Sequence, residues 1–152
     1  MESNHLKHLE ESLPSYWYYA EDFFKKEVTN IWGKNWIYVC HKSRIEKNLA
    51  FVTIKLANQN ILVLRDSEGS LKAYFNTCRH RGSILCDQEN GVVGSKLLRC
   101  PYHQWAYSVD TGELISVASF SNNPEGFDKS KFSLFNRSNL KFFLLCNRSK
   151  AS

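Results

Sequence analysis

The chain has 152 residues, a formal net charge of +5 at pH 7 and 43% hydrophobic content, which suffices for one core and hardly for two. Its lysines and arginines are scattered, so neither a basic helix nor a stacking platform for nucleic acid is indicated. No apolar run approaches the roughly 20 residues of a membrane span, and the first residues lack a signal peptide's apolar stretch; we therefore expect a cytoplasmic domain that binds neither nucleic acid nor membrane.

Residues 1–35 are predicted to form an N-terminal extension that contains one helix, from about Ala20 to Trp32. Apolar side chains recur there at helical spacing, and Glu21 and Asp22 are acidic residues in the first turn, where they favour helix initiation. Gly33 is placed to end the helix.

After the extension the sequence consists of short apolar segments separated by turn residues, which is typical of strands. Hairpin turns are predicted at Asp66–Gly69 and Asp110–Gly112. The fold class is therefore mostly β, a small antiparallel sandwich over residues 36–146 with 147–152 as a tail. The predicted strands are Trp36–Cys40, Phe51–Leu56, Ile61–Arg65, Leu71–Asn76, Lys96–Arg99, Gln104–Ser108 and Leu140–Leu145.

Two short loops of this sandwich carry metal-binding residue types at close spacing. The first contains Cys78 and His80, and the second contains Cys100 and His103. Two facing loops of this kind can hold a two-iron, two-sulfide cluster, with the thiolates on one iron and the imidazoles on the other. A structural zinc ion takes the same four ligands, so the ligand set alone leaves both possibilities open.

The residues around the ligands resemble the Rieske domain of Rieske-type non-heme iron oxygenases, the α subunits of aromatic-ring-hydroxylating dioxygenases and their relatives. Asn76–Gly82 is similar to that family's first cluster loop, and Cys100–Tyr107, followed by Asp110–Gly112, is similar to its second. The resemblance implies a [2Fe-2S] cluster on the four Cys and His residues. Gln104 stands where glycine is more usual in the family, and the segment between the loops is slightly longer.

High-potential Rieske proteins carry a disulfide and a serine near the cluster. At the corresponding positions this chain has Ser83, Tyr102 and Trp105. The resemblance therefore implies a potential low within the Rieske range of roughly −150 to +300 mV. Trp105 is expected either to cover the cluster from water or to belong to the core. Arg79 and Arg81 flank the cluster, where they either favour its reduced form and steer an acidic electron donor or pair with carboxylates.

Cys40, Cys86 and Cys146 remain outside the motif. These three cysteines show no spacing pattern, and the chain has no secretory signal. Both observations indicate reduced thiols rather than a disulfide framework. Cys40 and Cys146 each end an apolar strand and are interpreted as small hydrophobic residues. His41 is interpreted as structural.

The resemblance also implies a role and partners. A reductase or ferredoxin would supply one electron, and His103 would pass it to a mononuclear Fe(II) in the catalytic domain of a neighbouring subunit, within a trimer. That iron needs two histidines and a carboxylate, and the sequence has no histidine after His103, so we expect the catalytic domain to be absent and the chain to be a fragment or truncated product. The alternative is a free-standing Rieske ferredoxin, against which stand the N-terminal extension and its aromatic run Tyr16–Tyr19. The substrate and the mono- or dioxygenase outcome lie beyond the sequence.

Overall fold

The computed structural model describes residues 11–32, 34–117, 126–136 and 142–145. The predicted N-terminal helix is present as α1 (Glu21–Glu27), which continues into a single π-helical segment, Val28–Trp32. Every residue of these two segments is at least partly exposed. Gly33, the predicted terminator, lies outside the described residues. None of the helices in the described part of the chain has the length and hydrophobicity that crossing a bilayer requires.

The body of the molecule is built from short strands in three sheets. A four-stranded antiparallel sheet has the order β4-β3-β2-β5, a three-stranded antiparallel sheet has the order β6-β7-β8, and β1 pairs with β9. The strands are β1 (Ile37–His41), β2 (Ala50–Leu56), β3 (Gln59–Arg65), β4 (Leu71–Phe75), β5 (Asn90–Val92), β6 (Leu97–Arg99), β7 (Ala106–Ser108), β8 (Leu114–Ser116) and β9 (Phe142–Leu145).

The β3–β4 hairpin shows how the sequence sets the sheet. Residues Ile61–Leu64 are buried on both faces, as their continuous apolar run requires. Asp66 ends the strand and its Oδ1 accepts hydrogen bonds from the backbone amides of Glu68 (3.0 Å) and Ser70 (2.8 Å). Gly69 closes the turn with φ +88°, a conformation that favours glycine. The predicted turn is therefore confirmed.

Three features depart from the predicted strands. The pairing of β1 with β9 is parallel, whereas an antiparallel sandwich was expected throughout. Strands β5 and β8 were not predicted, because each has only three residues, too few for an alternating pattern to register. The prediction that a strand begins at Gln104 is wrong, since this residue has φ +55° and β7 begins at Ala106.

The core consists of two clusters of buried side chains. The smaller cluster lies around β2 and β3 and includes Cys40 and Ile45. The larger one includes Tyr74 and, from the two loops predicted to bind metal, Cys78 and Cys100. The loops are therefore anchored in the core through their cysteines rather than projecting freely from it.

Candidate metal centre

The first loop is a six-residue turn, Cys78–Ser83, that follows β4. A bridge between Thr77 and Ile84 closes its base. The Cys78 amide donates to the Ser83 carbonyl (2.8 Å), and the Gly82 amide donates to the Cys78 carbonyl (3.0 Å). Gly82, four residues after the cysteine, has φ +74°.

The second loop, Cys100–Trp105, has the same construction between β6 and β7. The pair Arg99 and Ala106 closes its base. The Cys100 amide donates to the Trp105 carbonyl (2.8 Å), and the Gln104 amide donates to the Cys100 carbonyl (3.0 Å). Gln104, again four residues after the cysteine, has φ +55°, so it adopts the left-handed conformation that glycine would adopt more readily. Its deviation from the family pattern leaves the loop shape intact.

The two cysteine side chains lie together beneath the loops, each 2% exposed. Burial raises the pKa of the Cys78 thiol. Burial also acts to raise the pKa of Cys100, but the backbone amides of His103 and Tyr102 and the adjoining Cys78 side chain outweigh it, so that this pKa lies below its ordinary value. The loop amides therefore stabilise a thiolate, the form that binds metal.

The two imidazoles also lie together, with ring centroids 4.6 Å apart and planes at 72°. The Nδ1 atoms of His80 and His103 are both buried and have no hydrogen-bond partner in the described structure. Buried polar atoms are nearly always paired, so this orphaned pair indicates nitrogens that face a ligand. Burial, His103 and Arg81 lower the pKa of His80, which favours the neutral, metal-binding imidazole.

The donor set fits a two-iron cluster. Sulfur adjoins sulfur and imidazole adjoins imidazole, so each iron of such a cluster would receive a like pair. A tetrahedral zinc takes all four donors about a single point. Both geometries were open from the sequence, and the paired arrangement favours the cluster.

Tyr107 is a residue of this site that the sequence analysis missed. Its hydroxyl lies 3.1 Å from the Cys78 sulfur and accepts a hydrogen bond from the Arg79 amide, also at 3.1 Å. A phenol has one proton to donate and a thiolate has none, so with Cys78 as the thiolate the hydroxyl donates to the sulfur. Burial, reinforced by Cys78, raises the pKa of Tyr107, which keeps the proton in place. In the sequence Tyr107 looks like an ordinary aromatic residue of a strand, β7 (Ala106–Ser108), which is why it was missed.

The Ser83 hydroxyl helps to lower the pKa of the Cys100 thiol and also donates to the Ile84 carbonyl at 3.5 Å. Ser83, which stands where a loop disulfide would need a cysteine, is thus a side chain that forms hydrogen bonds. The low reduction potential stays a prediction.

An aromatic side chain lies against each imidazole. Trp105 is 5% exposed and stacks on His80, with ring centroids 4.6 Å apart and planes at 11°. Tyr102 is 62% exposed and lies 3.8 Å from the His103 ring at 43°. Trp105 therefore belongs to the core and packs against one face of His80, and its role in covering a cluster from water stays a prediction.

The two arginines differ in their surroundings. The Arg79 guanidinium lies over the Phe135 ring, 3.7 Å from its centroid, and its Nη2 donates to the Lys131 carbonyl at 3.3 Å. Arg81 is exposed. Among the described residues Arg79 thus contacts a ring and a carbonyl oxygen, where pairing with a carboxylate was the alternative to a role beside the cluster.

The remaining cysteines behave as buried thiols where they are described. Cys40 is buried at the end of β1, and burial raises its pKa. Cys86 is half-buried, and burial raises its pKa to about 11, which makes it a poor substitute ligand. Cys146 lies outside the described residues. His41 has the structural role that was predicted, because its Nδ1 accepts a hydrogen bond from the Ser43 amide.

Comparison with known proteins connects this geometry to a family. The profile of the Rieske [2Fe-2S] domain matches residues 35–127. The large subunit of anthranilate 1,2-dioxygenase from Acinetobacter baylyi is 39% identical over 109 residues, which are 72% of this chain and 22% of that subunit. The oxygenase subunit of carnitine monooxygenase from Acinetobacter baumannii is 29% identical over 123 residues, 81% of this chain and 32% of that subunit.

Solved structures give the same result. The quaternary ammonium Rieske monooxygenase CntA superposes with a TM-score of 0.74 at 30% identity, covering 82% of this chain and 34% of that one. Naphthalene 1,2-dioxygenase superposes with a TM-score of 0.67 at 33% identity, covering 76% and 25%. The chain thus spans between about a fifth and a third of the length of these relatives, and the match falls in their N-terminal part.

Proposed function

Because this chain belongs to the Rieske [2Fe-2S] domain family, we propose that it is the electron-transfer module of a ring-hydroxylating-type oxygenase. It accepts one electron from a reductase or ferredoxin and delivers it to a mononuclear iron in a catalytic domain. The observation that carries the proposal is the pair of orphaned, buried Nδ1 atoms beside a pair of buried sulfurs.

In this proposal four side chains hold the cluster: Cys78 and Cys100 through their sulfurs, and His80 and His103 through Nδ1. When bound, such a cluster supplies reversible one-electron chemistry. The twin turns fix the cysteines relative to one another. Tyr107 and the loop amides hold hydrogen-bond donors against the sulfurs, which favours the more negative, reduced state.

The exit residue is His103. With Nδ1 turned to the metal, its Nε2 is the atom that remains to meet a carboxylate on an acceptor domain. The exposed Tyr102 ring beside it offers apolar contact area to that domain. On this proposal the acceptor belongs to a neighbouring subunit of a trimer, and Arg81 contributes to the attraction of an acidic donor.

The exposed aromatic residues of the N-terminal extension support the oxygenase subunit over a free-standing ferredoxin. Tyr18 and Tyr19 are 70% and 78% exposed, and with Trp17 and Phe24 they line an open cavity of about 590 Å³. An electron carrier that acts alone has no use for such a surface, whereas a subunit can bury it against further protein.

The electron path is tested by comparing His103→Cys with His80→Cys. Each variant exchanges one imidazole for a thiolate and so changes the cluster charge equally. Both cluster-loaded proteins are reduced chemically, and stopped-flow absorption then follows oxidation by a catalytic domain from a related oxygenase. We expect the His103 variant to lose electron delivery far more than the His80 variant; equal losses would remove the assignment of His103 as exit.

The cluster itself is tested by anaerobic purification, metal analysis and EPR spectroscopy. The proposal requires iron and labile sulfide in equal amounts and a Rieske-type signal after reduction. A colourless protein containing zinc and silent in EPR would end it. A monodisperse monomer that exchanges electrons rapidly with a reductase would favour the ferredoxin alternative.

A further inference from the structure

Arg79 connects the first cluster loop to a segment that is distant in sequence, residues 131–135. Its guanidinium stacks on the Phe135 ring (3.7 Å) and donates to the Lys131 carbonyl (3.3 Å), 52 residues away along the chain. Its Nε is buried without a hydrogen-bond partner in the described structure. The described contacts that orient the side chain are therefore the Phe135 ring and the Lys131 carbonyl.

The backbone of the same residue acts on the cluster side. The Arg79 amide donates to the Tyr107 hydroxyl, which lies against the Cys78 sulfur, each at 3.1 Å. With Cys78 as a thiolate, the hydroxyl proton is the one that can be donated to the sulfur. Displacement of the Arg79 backbone would remove the hydrogen bond from the amide and free the hydroxyl to rotate, which would weaken the hydrogen bond to sulfur.

We propose that Arg79 is a positioning residue that tunes the reduction potential of the cluster. Its side chain is held by Phe135 and Lys131 and thereby fixes the backbone amide of Arg79. That amide holds the Tyr107 hydroxyl against the Cys78 sulfur. The inference rests on the proposed function, because it presupposes that Cys78 holds a cluster. It goes further because it assigns an influence on the reduction potential of the cluster to residues 131–135, which lie outside both cluster loops.

A simple charge effect is the competing explanation. Removal of any cation near the cluster disfavours the reduced, more negative state. Arg81 provides the matched control, because it lies in the same loop and carries the same charge but is exposed. Phe135 provides a second comparison, because its replacement removes the ring that contacts Arg79 but changes no charge. That ring is 53% exposed, so we expect Phe135→Leu to fold.

The experiment is an EPR-monitored redox titration of the cluster-loaded protein. Four variants are compared with wild type: Arg79→Gln, Arg81→Gln, Phe135→Leu and Tyr107→Phe, the last also in combination with Phe135→Leu. We expect the equilibrium constant for one-electron reduction to be about tenfold lower in Arg79→Gln than in Arg81→Gln, which corresponds to a reduction potential about 59 mV lower. Phe135→Leu should lower it about threefold and shift the EPR g values, although no charge has changed.

The double variant identifies the route. If Arg79 acts through the hydroxyl, Phe135→Leu has no further effect on the potential once Tyr107→Phe is present, because interactions along one path are not additive. Equal shifts for Arg79→Gln and Arg81→Gln, or an undiminished effect of Phe135→Leu in the Tyr107→Phe protein, would overturn the inference. A wild-type protein without a Rieske signal would overturn the proposed function as well, so the two failures are distinguishable.

Discussion

The equivalent positions Gly82 and Gln104 permit a sharp test of the twin-loop geometry. Both residues have positive φ, +74° and +55°. The left-handed conformation costs an ordinary residue about 1–2 kcal/mol, while glycine loses about 0.5–1 kcal/mol more chain entropy on folding. Gln104→Gly should therefore stabilise the protein by about 0.5–1 kcal/mol, and Gly82→Gln should destabilise it by a similar amount.

The cost at Gly82 is conformational alone, because a Cβ there would meet no atom within 4 Å. Gly94 supplies the control: a Cβ is equally unhindered there, but its φ lies outside the left-handed range, so Gly94→Gln should be neutral or slightly stabilising. For a domain of this size, 1 kcal/mol corresponds to about 2–4 °C in Tm.

The assay is thermal unfolding of the cluster-loaded variants at one scan rate, since cluster loss makes unfolding irreversible and Tm dependent on the rate. The melts should move in opposite directions for the two loop variants while the visible spectrum of the cluster stays unchanged. If Gly82→Gln melts no lower than Gly94→Gln, the positive φ of the first loop is not a source of strain and the reasoning fails.

Further predictions concern the support of the loops. Tyr107→Phe removes the hydrogen bond to the cysteine sulfur and should lower the reduction potential by about 59 mV, a tenfold change in the equilibrium constant; an unchanged EPR titration would contradict this. Gly112→Ala combines φ +76° with a Cβ only 2.6 Å from the ring of the fully buried Tyr74, so conformational cost and overpacking should together destabilise the protein by about 2–5 kcal/mol, and a melt like wild type would refute the clash. Hydrogen bonds from Ser67 hold the pKa of Asp110 below its ordinary value, so the stabilisation from this carboxylate is present above about pH 4 and disappears as pH falls through the lower folded pKa. The difference in Tm between wild type and Asp110→Asn should therefore be larger at pH 7 than at pH 2, and a constant difference would exclude this contribution.

The parts of the fold that followed from the sequence are those with a local physical cause. The buried run Ile61–Leu64 is hydrophobic enough to specify a central strand, and Asp66 with Gly69 specifies the turn after it. The helix α1 was predicted from its spacing and first-turn acids. Its π-helical continuation was not, because a change in helical hydrogen bonding leaves no trace in the apolar spacing.

The parts that did not follow depend on contacts between distant segments. The parallel pairing of β1 with β9 joins two segments that are far apart in sequence, Ile37–His41 and Phe142–Leu145, and no local pattern specifies the direction of such a pair. In the site, the ligand residues could be proposed from their spacing, but Tyr107 reads in sequence as an ordinary strand aromatic. The contact of Arg79 with Phe135 also joins segments that are distant in sequence, and it gives no signal in either segment.

The unequal spacing of the histidines has a consequence for their roles. The two loops share one turn, yet His80 is the second residue after its cysteine and His103 is the third. The two rings are therefore attached at non-equivalent positions of equivalent turns. Their planes meet at 72°, nearly edge to face. His80 is covered by the buried Trp105, while His103 is covered by the exposed Tyr102. Moving the histidine of the first loop by one residue should therefore disturb its packing against Trp105. Since an acceptor domain would approach from solvent, the exposed Tyr102 beside His103 supports the proposal that the imidazole of the second loop is the exit.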